Sequence, residues 1–322
     1  MTALAKEVRG KGWIVFGARS EHKDWDLYLM RPDGSARRNI TNTPKATEAA
    51  PRFSPDGRRL LFRRLPRASI ISHDLWGFQG KLVIANADGS DPVVFGEKGE
   101  YPWACWGPEG KRIACLGHRG IEIVDLATKQ VIRRLSRKGF YQQLFWSPDG
   151  QWFCGVANHL GQQWTVARMN AGTGELNAVT KRWACTPDWM PDSKYIIFSY
   201  NPTEIRPRKG RRWTQLHLAL GDGTQPRLVF GEDHRHVYGG ATSPDGKYVL
   251  LTMSVIDGGM AEWSGAPMWL MRLADTPAIG GKSTIMRELY PDAKSSSMLP
   301  LPVGWEPHWT YAEIDVKQEP AR

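Results

Sequence analysis

Long apolar runs are missing from this chain: none approaches the ~18 residues that a membrane-spanning helix needs. The first residues, MTALAKEVRGKG, also lack the apolar stretch of a secretory leader. A soluble protein is therefore expected, periplasmic or secreted if a leader has been removed and cytoplasmic otherwise. Cysteine is scarce. Cys105, Cys115, Cys154 and Cys185 sit in apolar, strand-like segments and form no C-x-x-C pair, which favours buried thiols over a metal or redox role. No G-x-S-x-G elbow occurs, and the length leaves no room for a hydrolase domain beside the body described below, which excludes a peptidase of that kind. AIGGKST at 278 to 284 resembles the end of a phosphate-binding loop, but the first glycine of that motif would fall at Thr276, and no strand-loop-helix context surrounds it. No stretch carries a helical apolar period of useful length, so the expected class is all-β.

Tryptophan, by contrast, is abundant: fifteen residues, most of them close to one recurring turn signal. The signal reads FSPDG at 53 to 57, WGPEG at 106 to 110, WSPDG at 146 to 150, WMPDS at 189 to 193 and TSPDG at 242 to 246. WEPHW at 305 to 309 reads as a sixth, degraded copy. Proline presets φ at the second turn position, and Asp-Gly tolerates the positive φ that closes the turn. An apolar, β-branched or aromatic run follows each of the five clear copies, as in RRLLF (58 to 62) and KYIIFSY (194 to 200). Further strand pairs joined by Asp-Gly turns follow, as in KLVIANADGSDPVVF (81 to 95). Four antiparallel strands per unit, A to D, make one propeller blade.

The expectation is a six-bladed β-propeller in one domain, residues 1–322, with blades at about 12–41 plus 298–314, 47–96, 100–136, 141–180, 183–231 and 236–279. The segment 12–41 supplies only strands B to D. Its missing A strand is available at 301–309, so the two ends are expected to pair and close the ring, removing an open sheet edge.

These blades resemble those of the TolB-like propeller superfamily, whose repeats carry S-P-D-G after the inner strand, and the resemblance covers nearly the whole chain. It implies the fold and leaves the activity open, because the superfamily includes periplasmic scaffold proteins, peptidase propeller domains and metal-dependent pectic lyases.

Strand alternation puts the A-B and C-D turns on one face of the disc and the B-C and D-A connections on the other. The latter, the loop face, carries the long varied loops where binding residues tend to sit. His22, His73, His118 and His159 fall in B-C connections, and His234 and His236 in a D-A connection; His217 falls in a strand and His308 in an A-B turn. In GEDHRHVYGG (231 to 240), His234, His236 and Tyr238 alternate, so an extended segment would present them on one side, as metal ligation by two imidazoles requires. His159 is the third candidate ligand of a divalent metal, with Gln162 or Gln163 behind it. The resemblance supplies the parallel, since pectic lyases of this superfamily hold a divalent metal with several His and a Gln, although on seven blades. The basic run RPRKGRR offers Arg206, Arg208, Arg211 and Arg212 beside Trp213, a set suited to a polyanion with the indole stacking on a sugar or base. The net charge of +10 points the same way, towards acidic partners. No nucleic-acid-binding module is present. The first functional expectation is a noncatalytic binding or scaffold propeller for a protein segment or acidic glycan on the loop face and channel mouth. The alternative is a metal-dependent lyase or hydrolase of uronate-containing glycans.

Overall fold

The computed structural model describes every residue except 68, 70–79, 97–100, 118, 136–138, 141, 161–163, 182, 202–212, 232–234, 255–265, 274–297 and 316–322. The first strands are β1 (Trp13–Arg19), β2 (Trp25–Met30) and β3 (Arg38–Asn39). A four-stranded sheet follows, of β4 (Ala46–Phe53), β5 (Arg59–Pro66), β6 (Lys81–Asn86) and β7 (Val93–Phe95). The next comprises β8 (Trp103–Trp106), β9 (Arg112–Gly117), β10 (Gly120–Asp125) and β11 (Val131–Arg134). A third holds β12 (Gln142–Trp146), β13 (Trp152–Ala157), β14 (Thr165–Asn170) and β15 (Leu176–Ala178). The fourth holds β16 (Ala184–Trp189), β17 (Tyr195–Tyr200), β18 (Gln215–Leu220) and β19 (Arg227–Phe230). Last come β20 (Val237–Thr242), β21 (Tyr248–Met253), β22 (Ala266–Arg272) and the long β23 (Met298–Thr310).

Each sheet is an antiparallel meander, and the inner strands touch in a closed sequence: β4 meets β23, β5 meets β8, and β8, β12, β16, β20 and β23 then meet in turn. This is an all-β propeller. Six separate four-stranded sheets are not what the pairing gives. Four such sheets form, and β20, β21, β22, β23, β1, β2 and β3 join in one seven-stranded sheet. The reason is β23, whose first half pairs β22 (Leu270↔Leu299) and whose second half pairs β1 (Ile14↔Trp309). The expected partnership of the two ends of the chain is thus a real ladder. Among the described residues one six-residue helix, α1 (Ala3–Val8), stands outside the all-β expectation. Thr2 caps it by accepting the Ala5 N–H, Leu4 and Val8 bury against the sheet, and Glu7 is gripped by Arg272 and by Tyr248 Oη at 2.5 Å. Those partners hold Glu7 down at about 2.

Sheets pack face to face, as where Val15, Leu27 and Leu29 meet Leu60, Phe62 and Val83, all of them buried. Each such side chain contributes roughly 1.5–3 kcal/mol. All four cysteines are buried free thiols.

The recurring turn is held by its own side chains. At 54–59, Ser54 Oγ donates to Asp56 Oδ1 (2.5 Å) and accepts the Arg59 N–H (3.0 Å), while Asp56 Oδ1 accepts the Arg58 N–H (3.1 Å). Gly57 takes φ +70. Ser147 with Asp149 and Ser243 with Asp245 repeat the arrangement. The sixth copy departs from expectation. Trp309 rather than Trp305 corresponds to Phe53, since Thr310 follows it at the end of the strand, where Ser54 enters the turn after β4. Pro307 therefore matches Pro51 and Pro187, inside the inner strands, and His308 belongs to β23 rather than to a turn.

Candidate functional site

Five inner strands carry a bulge five residues before the turn proline or its equivalent. The register slips in β4, β12, β16, β20 and β23, and Ala50, Gln143, Thr186, Gly239 and Glu306 take φ +55, +59, +48, +69 and +50. Such a backbone is costly for a non-glycine residue and uncommon for a β-branched one. Here the bulges are tied to each other. The Thr186 N–H donates to Gln143 Oε1 (2.7 Å), and the Gly239 N–H donates to Ser199 Oγ (3.1 Å) and Thr186 Oγ1 (3.3 Å).

A bulge re-aims the residues beyond it. Two positions further on, each inner strand presents one residue of a ring: Arg52, Cys105, Phe145, Asp188, Ala241 and His308. Arg52, Phe145 and Asp188 line both a small cavity of about 40 Å³ and a chamber of about 380 Å³ on the turn face. Pro55, Pro108, Pro148, Pro191 and Pro244 rim this chamber, and Trp106, Trp146, Trp189 and Trp309 wall it. Its charged groups are held apart. Arg52 Nη1 donates to the carbonyls of Pro51 (2.8 Å) and Glu306 (3.3 Å), its guanidinium lies 5.2 Å from the Phe145 ring centroid, and its buried Nε has no partner. Asp188 Oδ1 accepts the Trp189 N–H (2.8 Å). Burial pushes Asp188 up to about 6, against the pull of Arg52. His308 Nδ1 accepts the Phe53 N–H (3.1 Å), so the neutral ring carries its proton on Nε2. Burial first, and Arg52 second, lower His308 to about 3.

The residues singled out on the loop face fare differently. His73, His118, Arg206, Arg208, Arg211, Arg212 and His234, and Gln162 and Gln163 behind them, lie outside the described residues. His159 is exposed. Trp213 and Tyr238 are buried, and they sandwich His236: its ring centroid is 4.9 Å from that of Trp213 and 5.7 Å from that of Tyr238, and its Nδ1 lies 3.4 Å from the Thr214 N–H donor. His236 and Tyr238 do share a side, as their alternation implies. Among the described residues no group of three His, Cys, Asp or Glu is placed to hold a metal ion. What the sequence reading missed on this face is an indole pair. Trp164, in the connection between β13 and β14, stacks on Trp183, just before β16, with centroids 6.0 Å apart. Trp183 is 41% exposed, the one exposed aromatic among the described residues. The ring of Arg52, Asp188 and His308 was missed as well: these residues stand three before Pro55, Pro191 and, where the turn proline is lost, Tyr311, and share no side-chain chemistry.

No protein-family profile and no curated relative matches the chain. Solved structures do. TolB of Acinetobacter baumannii superposes with a TM-score of 0.65 at 16% identity over 92% of this chain, which spans 66% of the length of that one. A putative TolB from Agrobacterium tumefaciens gives 0.57 at 18% identity, with 90% and 98% of the two chains covered. A chain of a nidogen/laminin complex gives 0.57 at 10%, covering 89% and 96%. No helix among the described residues is long and apolar enough to cross a membrane. The likeness is one of fold, a β-propeller like that of TolB.

Proposed function

We propose that this TolB-like propeller is a noncatalytic binding module that holds a protein segment on its loop face. It has six blades in one domain over residues 1–322, with the blade limits expected above. The split pairing of β23 supports the count: residues 298–304 complete one four-stranded blade with β20, β21 and β22, and residues 305–310 complete the next with β1, β2 and β3. The observation that carries the binding reading is the stacked Trp164–Trp183 pair, half open to solvent, with exposed His159 in the same connection as Trp164. Exposed tryptophan on a rigid scaffold is the side chain that most often anchors a protein partner. One structural neighbour is a chain of a nidogen/laminin complex, which agrees with protein binding.

Panning a displayed dodecamer peptide library on the purified protein tests this. Enriched peptides should bind the native protein and lose at least about tenfold in affinity on Trp183→Ala, a loss of ~1.4 kcal/mol or more. Undiminished binding to the variant, or release of unsaturated uronates from polygalacturonate with Mn²⁺, would overturn it, the latter in favour of the lyase reading.

A further inference from the structure

The chamber on the turn face is separate from the loop-face site, and its chemistry is more specific. It holds one cation and one carboxylate, Arg52 and Asp188, with no ion pair between them: Arg52 donates to the Pro51 and Glu306 carbonyls and Asp188 accepts the Trp189 N–H. The groups that act on Asp188 from neighbouring strands are Arg52 on β4, Cys105 on β8 and Cys154 on β13; His308 on β23 lines the same chamber and feels Arg52, while β12 and β20 contribute Phe145 and Ala241. Arg52 is thus the only cation among them at neutral pH, and it does not reach contact. Two opposite charges enclosed by protein, each short of a counter-charge, leave desolvation uncompensated. An anionic ligand would meet Arg52 but be repelled by Asp188, and a cationic ligand would meet the reverse. A ligand bearing both charges a few bonds apart satisfies both. His308, whose Nδ1 accepts the Phe53 N–H and whose proton therefore sits on Nε2, lines the same chamber. Around this polar waist the walls are tryptophan, phenylalanine and proline, and about 380 Å³ is within the range of small-molecule pockets.

We propose that the chamber binds a small zwitterion, an α-amino acid with an apolar side chain, its carboxylate held by Arg52 and His308 and its ammonium by Asp188. The apolar side chain lies among Phe145, Trp146 and the rim prolines. Titration calorimetry at pH 7.5 with L-phenylalanine, phenethylamine and 3-phenylpropanoate tests this on the native protein. L-Phenylalanine should bind one to one, and both analogues should bind at least about tenfold more weakly, a gap of ~1.4 kcal/mol. Arg52→Gln should abolish the binding, Trp183→Ala should leave it unchanged, and affinity should fall at pH 5, where Asp188 takes up a proton and loses its hold on the ammonium. Either analogue binding within tenfold of L-phenylalanine, or neither L-phenylalanine nor L-leucine binding at all, overturns the proposal without touching the loop-face reading.

Discussion

The two faces of the disc are built on opposite plans. On the turn face the connections are short, nearly identical and held by Ser-Asp hydrogen bonds, yet they rim a chamber of about 380 Å³ that holds Arg52 and Asp188. On the loop face the connections are long and varied, yet Trp213 and Tyr238 are buried and His236 is clamped between them. Variation in loop sequence therefore does not by itself mark a binding surface. A repeated turn can set identical backbones in place while one residue per strand, two beyond the bulge, remains free to vary and to give a cavity its chemistry.

The sharpest break of this contrast is a pair of tryptophan truncations followed by urea unfolding. Trp309, 2% exposed, walls the chamber, donates from Nε1 to the Lys11 carbonyl at 2.7 Å and packs on Tyr248 and Tyr311. Trp309→Ala should cost about 3–5 kcal/mol. Trp183→Ala should cost less, about 1 kcal/mol, because its ring is 41% exposed and stacks on Trp164 at the surface. Equal costs would end the distinction between a built face and a presented one.

Acid provides the next test. His308 and His217 are both lowered by burial, to about 3 and about 4. Below pH ~6.5 the unfolded chain takes up protons that the folded one refuses, so their contribution is present above that pH and is lost as pH falls. Asp188 has the opposite sign: its raised value makes the folded state prefer the proton, so its penalty applies above about pH 6 and fades on acidification. His308→Asn, whose amide oxygen can still accept from Phe53, should lower the slope of stability against pH between 4 and 6 by about one proton. Asp188→Asn should raise the pH 7.5 melting temperature by about 1–2 °C, the scale of 1 kcal/mol in a chain this long. The smallest effect belongs to the bulges. Ala50→Gly relieves a left-handed alanine and should stabilise the protein by about 1 kcal/mol or less, measured in the same urea series.

Much of the fold was readable because Ser54, Pro55, Asp56 and Gly57 each do one local task that few other residue types can do, so the unit repeats in the letters themselves. The bulges did not show, because Ala50, Gln143, Thr186, Gly239 and Glu306 share a backbone conformation and no side-chain chemistry. The same holds for the chamber ring. Arg52, Asp188 and His308 gain meaning only when the ring closes and brings three distant strands to one waist. The sixth turn was misread by four residues because Pro307 imitates the turn proline while serving the role of Pro51 and Pro187. Helix α1 is too short to declare a period and exists because Glu7 is tied to Arg272 and Tyr248.

Strand β23 has a mechanical consequence. Thirteen residues of continuous backbone cross from the partner of β22 to the partner of β1, so two adjoining sectors of the disc are splinted by a covalent bar as well as by packing. Elsewhere around the ring neighbouring sheets meet by side-chain packing without a shared strand, as at β4 and β23, β8 and β12, and β12 and β16. Asp188 and Phe145 therefore stand on separate four-stranded sheets, while His308 rides on the strand that the two joined sectors share.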